Sequence, residues 1–297
     1  MGETVDGERA PNVAVVTVAY GSDAVMPGFL ASISRASNRP LTVVVVDNAP
    51  ALGDSRVIAE RYGALYVPLD GNPGYGGAIN AGVRNLAATI EWVLISNPDV
   101  MLGEGAIDAL VAAATADSRV GSAGPTVLGG DGALYPSARS IPSIRTGIGH
   151  ALFGRLWPRN PWSARYLGTR RSADGTADVG WLSGSCVLVR RSAFEAIGGF
   201  DEGYFMYFED VDLGYRLGRA GYLNRFVPDA VVTHTGAHST TGDESERMIA
   251  AHHDSAKRFL SRKYPGPVLA PVRAVLGIGL DLRSAIARRA SARRARS

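Results

Sequence analysis

The chain predicts an α/β fold around a mostly parallel sheet, and three features predict it. Val-rich apolar runs alternate with segments of helical spacing over roughly 120 residues, the pattern of βαβ units. The runs are continuously apolar, as strands covered on both faces are. Small polar clusters follow the runs directly, where ligands gather in such sheets.

In order, residues 12–19 are the first predicted strand and 41–46 the second, ending at Asp47-Asn48. Residues 27–36 between them have helical spacing. Residues 65–67 are a short third strand, and 74–86 are a helix despite their glycines. Residues 92–95 form a strand that ends at Ser96-Asn97-Pro98-Asp99. Ala-rich 105–114 is helical, and 120–128 returns to strand character. Asp47, Asn48 and Asp99 therefore fall on one rim of the sheet. Residues 135–178 are irregular, with Pro136, Pro142, Pro158 and Pro161, and read as a long functional loop or a small helical insertion. Beyond them, 179–190 is a strand interrupted at Ser183-Gly184-Ser185, and 205–219 is a helix. Residues 222–226 and 230–233 are strands, 245–262 is a helix, and 268–296 is one or two amphipathic helices.

Composition excludes several classes. The chain has 297 residues, 46% hydrophobic and 20% charged, so it is neither a disordered tail nor a collagen-like repeat. Its single cysteine, Cys186, rules out an internal disulfide framework. Residues 1–11 are polar and acidic, which predicts a loose tail rather than a signal peptide. No run of 18 apolar residues predicts a spanning helix. The net charge of +3 conceals an asymmetry: residues 272–297 hold seven arginines against Asp281 alone. Residues 132–173 hold seven more arginines and no acid. Such windows suit an anionic membrane surface, a diphosphate or nucleic acid, or are simply solvated faces. Nucleic acid is disfavoured, because residues 1–271 are net negative and no recognition module appears.

Four groups of residues can carry chemistry. Asp99 in Asn97-Pro98-Asp99 stands at a strand end, where a carboxylate can hold a divalent cation bridging two phosphates, although the triplet is also good turn chemistry. Glu209, Asp210 and Asp212 cluster at a helix start. Helical spacing puts Met206, Asp210, Leu213 and Leu217 on one face and Glu209, Asp212 and Arg216 on another. Asp212 and Arg216 read as an i,i+4 ion pair. Asp210, on the apolar face, needs a purpose and is the general-base candidate. His234, at a strand end, either completes a metal site or is a hydrogen-bonded rim histidine. His238, His252 and His253 read as surface residues. The glycines of 72–82 either offer backbone amides to a diphosphate or pack a helix tightly on the sheet.

These motifs together resemble the family 2 glycosyltransferases of the GT-A fold. The run 15–20, then Val45-Val46-Asp47-Asn48, then Asn72-x-Gly74-Tyr75-Gly76-Gly77-Ala78-x-Asn80-x-Gly82, then Asn97-Pro98-Asp99, then 207–213, then His234 carry the resemblance, over about residues 12–238. Within the family the chain looks most like the rhamnosyltransferases, of the mycobacterial type, that act on N-acetylglucosaminyl-diphospho-decaprenol in building the arabinogalactan linker. The resemblance implies a catalytic domain over 12–263, with a nucleotide-sugar half (12–128), a basic loop (129–178) and an acceptor half (179–263), followed by basic helices over 264–297. It implies an inverting transferase that moves L-rhamnose from dTDP-L-rhamnose with the help of Mg2+ or Mn2+.

Residue by residue, the resemblance implies that Thr17, Ala19 and Tyr20 line the base pocket and that Asp47 accepts the pyrimidine N3–H. Asn72, Gly74, Tyr75, Gly76, Gly77 and Asn80 would hold the base and ribose side of the donor. Asn97 and Asp99 occupy the place of an Asp-x-Asp motif; because the first position is Asn, Asp99 carries most of the metal contact, with His234 as second ligand. Asp210 is the implied base, with Glu209 beside it as the alternative. Trp181, Ser183 and Gly184 would form the acceptor side. A polyprenyl-diphosphate-GlcNAc acceptor implies peripheral attachment to the inner face of the plasma membrane, the basic windows lying toward the headgroup and the anionic leaflet. The oligomeric state stays open, a homodimer included. A GT-A transferase using UDP-galactofuranose or UDP-GlcNAc is the first alternative. A sugar nucleotidyltransferase is the second, opposed by Tyr20-Gly21-Ser22-Asp23, where that class wants a basic Gly-rich loop. A non-catalytic glycan-binding protein is the third.

Overall fold

Val, the dominant residue of the first strands, packs well on a pleated surface because its branched Cβ restricts χ1. The computed structural model describes residues 12–143, 175–236 and 242–281. The chain runs β1 (Val13–Ala19), α1 (Met26–Ala36), β2 (Thr42–Asp47), α2 (Ser55–Arg61), β3 (Leu65–Pro68), α3 (Gly74–Arg84), β4 (Trp92–Ser96), β5 (Val100–Leu102), α4 (Ala106–Thr115) and β6 (Val120–Gly129). It continues through β7 (Leu134–Tyr135), β8 (Ala138–Arg139), β9 (Ala177–Val179), β10 (Trp181–Leu182), β11 (Cys186–Arg190), α5 (Arg191–Ala196), α6 (Glu209–Arg219), β12 (Leu223–His234), α7 (Gly242–Lys263) and α8 (270–281).

The main sheet has the order β3-β2-β1-β4-β11-β6-β12-β5, and strands from both expected halves share it. β3, β2, β1 and β4 are parallel; β11 then runs antiparallel between β4 and β6. β1 is buried along its whole length and feeds alternate residues to opposite faces. Val13 and Val15 meet α1 and α4 through Phe29, Ile33, Ile107 and Leu110. Ala14 and Val16 meet the α3, α5 and α6 side through Ile79, Phe194, Leu213 and Leu217. Each fully buried Val, Leu or Phe contributes about 1.5–3 kcal/mol, so two covered faces stabilise the sheet that carries the site. Gly82 explains one helix glycine: a Cβ there would fall 2.5 Å from Val16 Cγ1, so α3 lies too close to the sheet for any side chain.

The predicted elements appear with shifts of a few residues, and three differences matter. The helix expected over 205–219 starts at Glu209, because Tyr207 and Phe208 take left-handed φ of 67° and 65°. Met206 is therefore not on its face; its carbonyl instead accepts from Ser255 Oγ. The strands expected at 222–226 and 230–233 are one strand, β12, with a bulge between Val227 and Val231 around Pro228. The irregular 135–178 stretch begins and ends in short strands, β8 and β9. Residues 144–174, His238 and the arginines beyond 281 lie outside the described residues. The Asp212–Arg216 pair is present at 2.6 Å, with Asp212 wholly buried and also 3.0 Å from Arg262. No described helix is long and apolar enough to cross a membrane.

Candidate active site

Strand pairing builds the first part of the site. β12 runs antiparallel to β5 with His234 opposite Val100, which sets the imidazole beside the residue that precedes β5. His234 Nε2 lies 3.1 Å from Asp99 Oδ1 and 3.4 Å from Asn97 Nδ2. Thr235 donates to the Asp99 carbonyl from both its N–H (3.1 Å) and its hydroxyl (3.0 Å), fixing that backbone. The donor set fits a divalent cation. A carboxylate oxygen, an imidazole nitrogen and a neighbouring amide suit Mg2+ or Mn2+. Adjacent ligands of an octahedral ion at about 2.1 Å stand about 3 Å apart, the separation seen here. Among the described residues no set of three or more His, Cys, Asp or Glu gathers, at this site or any other.

The second part is the start of α6. Two consecutive non-Gly residues at positive φ cost about 1–3 kcal/mol each, strain of the kind concentrated at functional sites. Their effect is to present Glu209 and Asp210 at a helix N-terminus. That terminus favours carboxylates by about 0.3–1 kcal/mol, but burial outweighs it. Burial, then the Asp210 charge, pushes Glu209 up to about 8. Burial raises Asp210 as well, against hydrogen bonds from backbone N–H groups and the Arg139 charge. Asp210 Oδ2 accepts from Gly184 N–H at 3.0 Å and Oδ1 from Val211 N–H at 2.8 Å. Glu209 Oε2 is buried with no hydrogen-bond partner. Below pH 4.5 Glu209 is protonated both folded and unfolded, and its stabilising contribution is complete. As pH rises toward 8 the unfolded chain ionises first, so stability falls across that window. Urea unfolding at a series of pH values is expected to show this decline in the wild type and a flatter profile in Glu209→Gln. Identical slopes would contradict the assignment.

Ser183-Gly184-Ser185 joins the two parts. Gly184 N–H binds Asp210, while the Gly184 carbonyl accepts from the Tyr75 hydroxyl at 2.8 Å. The Ser185 carbonyl accepts from Asn97 N–H at 2.9 Å. The Tyr75 hydroxyl is pushed well above its usual pKa by burial and by the charges of Glu209, Cys186, Asp210 and Asp99, so it stands between base and cation ligand. A Cβ on Gly184 would come within 3.3 Å of Asp210 Cβ. Sequence reading assigned Tyr75 to the donor and missed this bridge, which no local pattern encodes. A concavity of about 260 Å³ between β9, α6 and β12 contains none of these residues.

The remaining predicted residues divide. Thr17 Oγ1 is buried without a partner, Ala19 is buried, and Tyr20 is 47% exposed. Asp47 accepts from Tyr66 Oη at 2.8 Å and Ala49 N–H at 2.9 Å. Asn72 Oδ1 accepts from Gly74 N–H and Asn48 Nδ2. Gly74 has φ +82°, and a Cβ there would meet Phe205 O at 2.1 Å, so only glycine fits. On their Cβ side Gly76 and Gly77 pack against Phe200 and Pro73. Asn80 binds the Phe200 backbone at 2.9 Å on both amide atoms, and Glu202 at 3.0 Å. Ser183 is buried, with its hydroxyl 3.1 Å from that of Ser185. Trp181 is half-buried, its Nε1 donating to Ser140 O at 3.2 Å. His252 is exposed, as expected, whereas His253 is half-buried and bonds the Ile249 carbonyl.

A sequence profile described as Glycosyltransferase like family 2 matches residues 11–250. The chain belongs to that family. N-acetylglucosaminyl-diphospho-decaprenol L-rhamnosyltransferase of Mycobacterium tuberculosis is 45% identical over 292 residues, 95% of this chain and 94% of the relative. Rhamnosyltransferase WbbL of Escherichia coli is 28% identical over 259 residues, 84% of this chain and 93% of that one. Among solved structures, a mannosyltransferase from Pyrobaculum calidifontis in complex with GDP-Man and Mn2+ superposes with a TM-score of 0.56 at 19% identity, covering 96% of this chain and 74% of that one. The fold is GT-A, and the family 2 member described here is a glycosyltransferase.

Proposed function

We propose that this family 2 glycosyltransferase transfers L-rhamnose from dTDP-L-rhamnose to the GlcNAc of a polyprenyl-diphosphate-linked acceptor, with inversion. The observation that carries the reading is the Asp210–Gly184–Ser185–Asn97 chain of contacts, which joins a carboxylate base to a cation-ligand pair. The 45% identity to a rhamnosyltransferase supports the choice of sugar and acceptor. Asp99 and His234 would hold Mg2+ or Mn2+, which neutralises the leaving diphosphate when bound. Thr17 and Tyr20 border the base pocket, and Asp47 accepts the pyrimidine N3–H there. Asn72 and Gly74 shape the loop beside the ribose. Asp210 takes the proton of the acceptor hydroxyl as its oxygen bonds to the anomeric carbon. The bond to the diphosphate breaks, and its electron pair leaves with the nucleotide. One base opposite the leaving group requires in-line displacement, so a β-L donor gives an α-L-rhamnoside. Backbone N–H groups of Gly184 and Val211 orient the Asp210 carboxylate, whereas one Glu209 oxygen has no partner, which favours Asp210 as the base.

The enzyme works at the inner face of the plasma membrane in this reading. Val268, Val272, Val275 and Ile278 are exposed on and beside α8, and arginines dominate the sequence that follows. An apolar face next to a basic stretch suits an anionic leaflet. The test supplies dTDP-L-rhamnose, UDP-galactofuranose and UDP-GlcNAc separately, with GlcNAc-diphospho-lipid in anionic vesicles. Product from dTDP-L-rhamnose alone is expected, and deletion of 272–297 is expected to reduce vesicle binding. Preference for a UDP-sugar would overturn the donor, and unchanged vesicle recovery would overturn the membrane face.

A further inference from the structure

Arg139 is the one arginine of the acid-free 132–173 window among the described residues. Its backbone is fixed opposite Trp181 in the β8–β10 ladder, and its carbonyl accepts from Gly180 N–H at 2.9 Å. Nε donates to the Pro136 carbonyl at 2.7 Å. The guanidinium carbon lies 5.9 Å from the Tyr135 ring centre and 5.6 Å from that of Trp181. Two rings and a carbonyl thus hold the side chain in one place, yet no carboxylate pairs with it among the described residues. The terminal N–H groups remain as a preorganised fork, the geometry that binds phosphate through two parallel hydrogen bonds.

Its position gives the fork a purpose. Trp181, under the guanidinium, packs on Gly214 of α6, the helix that begins with the base. The Arg139 charge is felt at Asp210. Tyr135 (43% exposed) leaves apolar surface open beside the guanidinium. An acceptor whose hydroxyl meets Asp210 carries its anomeric phosphate across one pyranose ring. We propose that Arg139 binds the phosphate attached to the accepting sugar, so that it selects sugar-diphosphate acceptors over simple glycosides. This rests on the acceptor class assigned above and adds the residue that recognises it.

The test measures transfer by wild type, Arg139→Lys and Arg139→Gln in solution without vesicles. It uses a short-chain GlcNAc-diphosphoryl alkyl acceptor and an alkyl GlcNAc glycoside lacking phosphate. Arg139→Gln is expected to raise KM for the diphosphate acceptor about tenfold or more, with KM for the phosphate-free glycoside and for the donor unchanged. Arg139→Lys should fall between, because a point charge replaces the fork. Donor KM and circular dichroism report folding in each variant. Equal losses on both acceptors would assign Arg139 a merely structural role and overturn the proposal. A raised donor KM would place the bound phosphate on the nucleotide and overturn it too. Absence of wild-type transfer to the diphosphate acceptor would overturn the acceptor class itself, and the Arg139 assignment with it.

Discussion

Asp210→Asn is expected to lower kcat for glycosyl transfer by about 10²–10⁴-fold, the usual contribution of a positioned general base. Donor binding should be unchanged, because the amide keeps the shape of the carboxylate. Its oxygen can still accept from Gly184 N–H, the 3.0 Å contact that orients the group. What is lost is the capacity to accept a proton. Steady-state kinetics with separate donor and acceptor KM values check this. Full activity in the variant would remove the base assignment and return attention to Glu209. The two carboxylates are adjacent, but their surroundings separate them. Glu209 is buried with one oxygen lacking any partner, whereas both Asp210 oxygens accept backbone N–H bonds, from Gly184 and Val211.

Asp99→Ala has the second largest expected effect, a fall in kcat/KM of about 10²–10³-fold, comparable with losing one group that stabilises developing charge. His234→Ala should act in the same direction, because the imidazole lies 3.1 Å from the same carboxylate. In both variants the dependence of nucleotide affinity on added Mn2+ should weaken. Unchanged metal dependence, measured by calorimetric titration of dTDP with and without chelator, would contradict the role of the pair.

Much of this site was legible in the sequence because its parts sit at element ends. Buried parallel strands leave long Val runs, and the polar residues that stop them, such as Asp47 and Asn97-Pro98-Asp99, mark the functional rim. The i,i+4 ion pair of Asp212 and Arg216 was legible for the same reason: its geometry is local. Long-range contacts were not. Asn80 looks like a ligand residue beside glycines, yet it clamps the backbone of Phe200, 120 positions away. Tyr75 reaches Gly184 over 109 positions, and no spacing rule announces that bond. The start of α6 was misjudged because Tyr207 and Phe208 carry no left-handed signal of their own. Short β5 (Val100–Leu102) escaped notice for lack of length, although its pairing with β12 brings His234 to Asp99.

The account turns on His234 and Asp99 sharing one cation beside the base. The most direct test is electron spin-echo spectroscopy of Mn2+ bound to the enzyme with dTDP. The wild type is predicted to show nitrogen modulation from a coordinated imidazole, and His234→Ala to lose it while still binding the nucleotide. Modulation that persists in His234→Ala, or is missing from the wild type, would contradict the account.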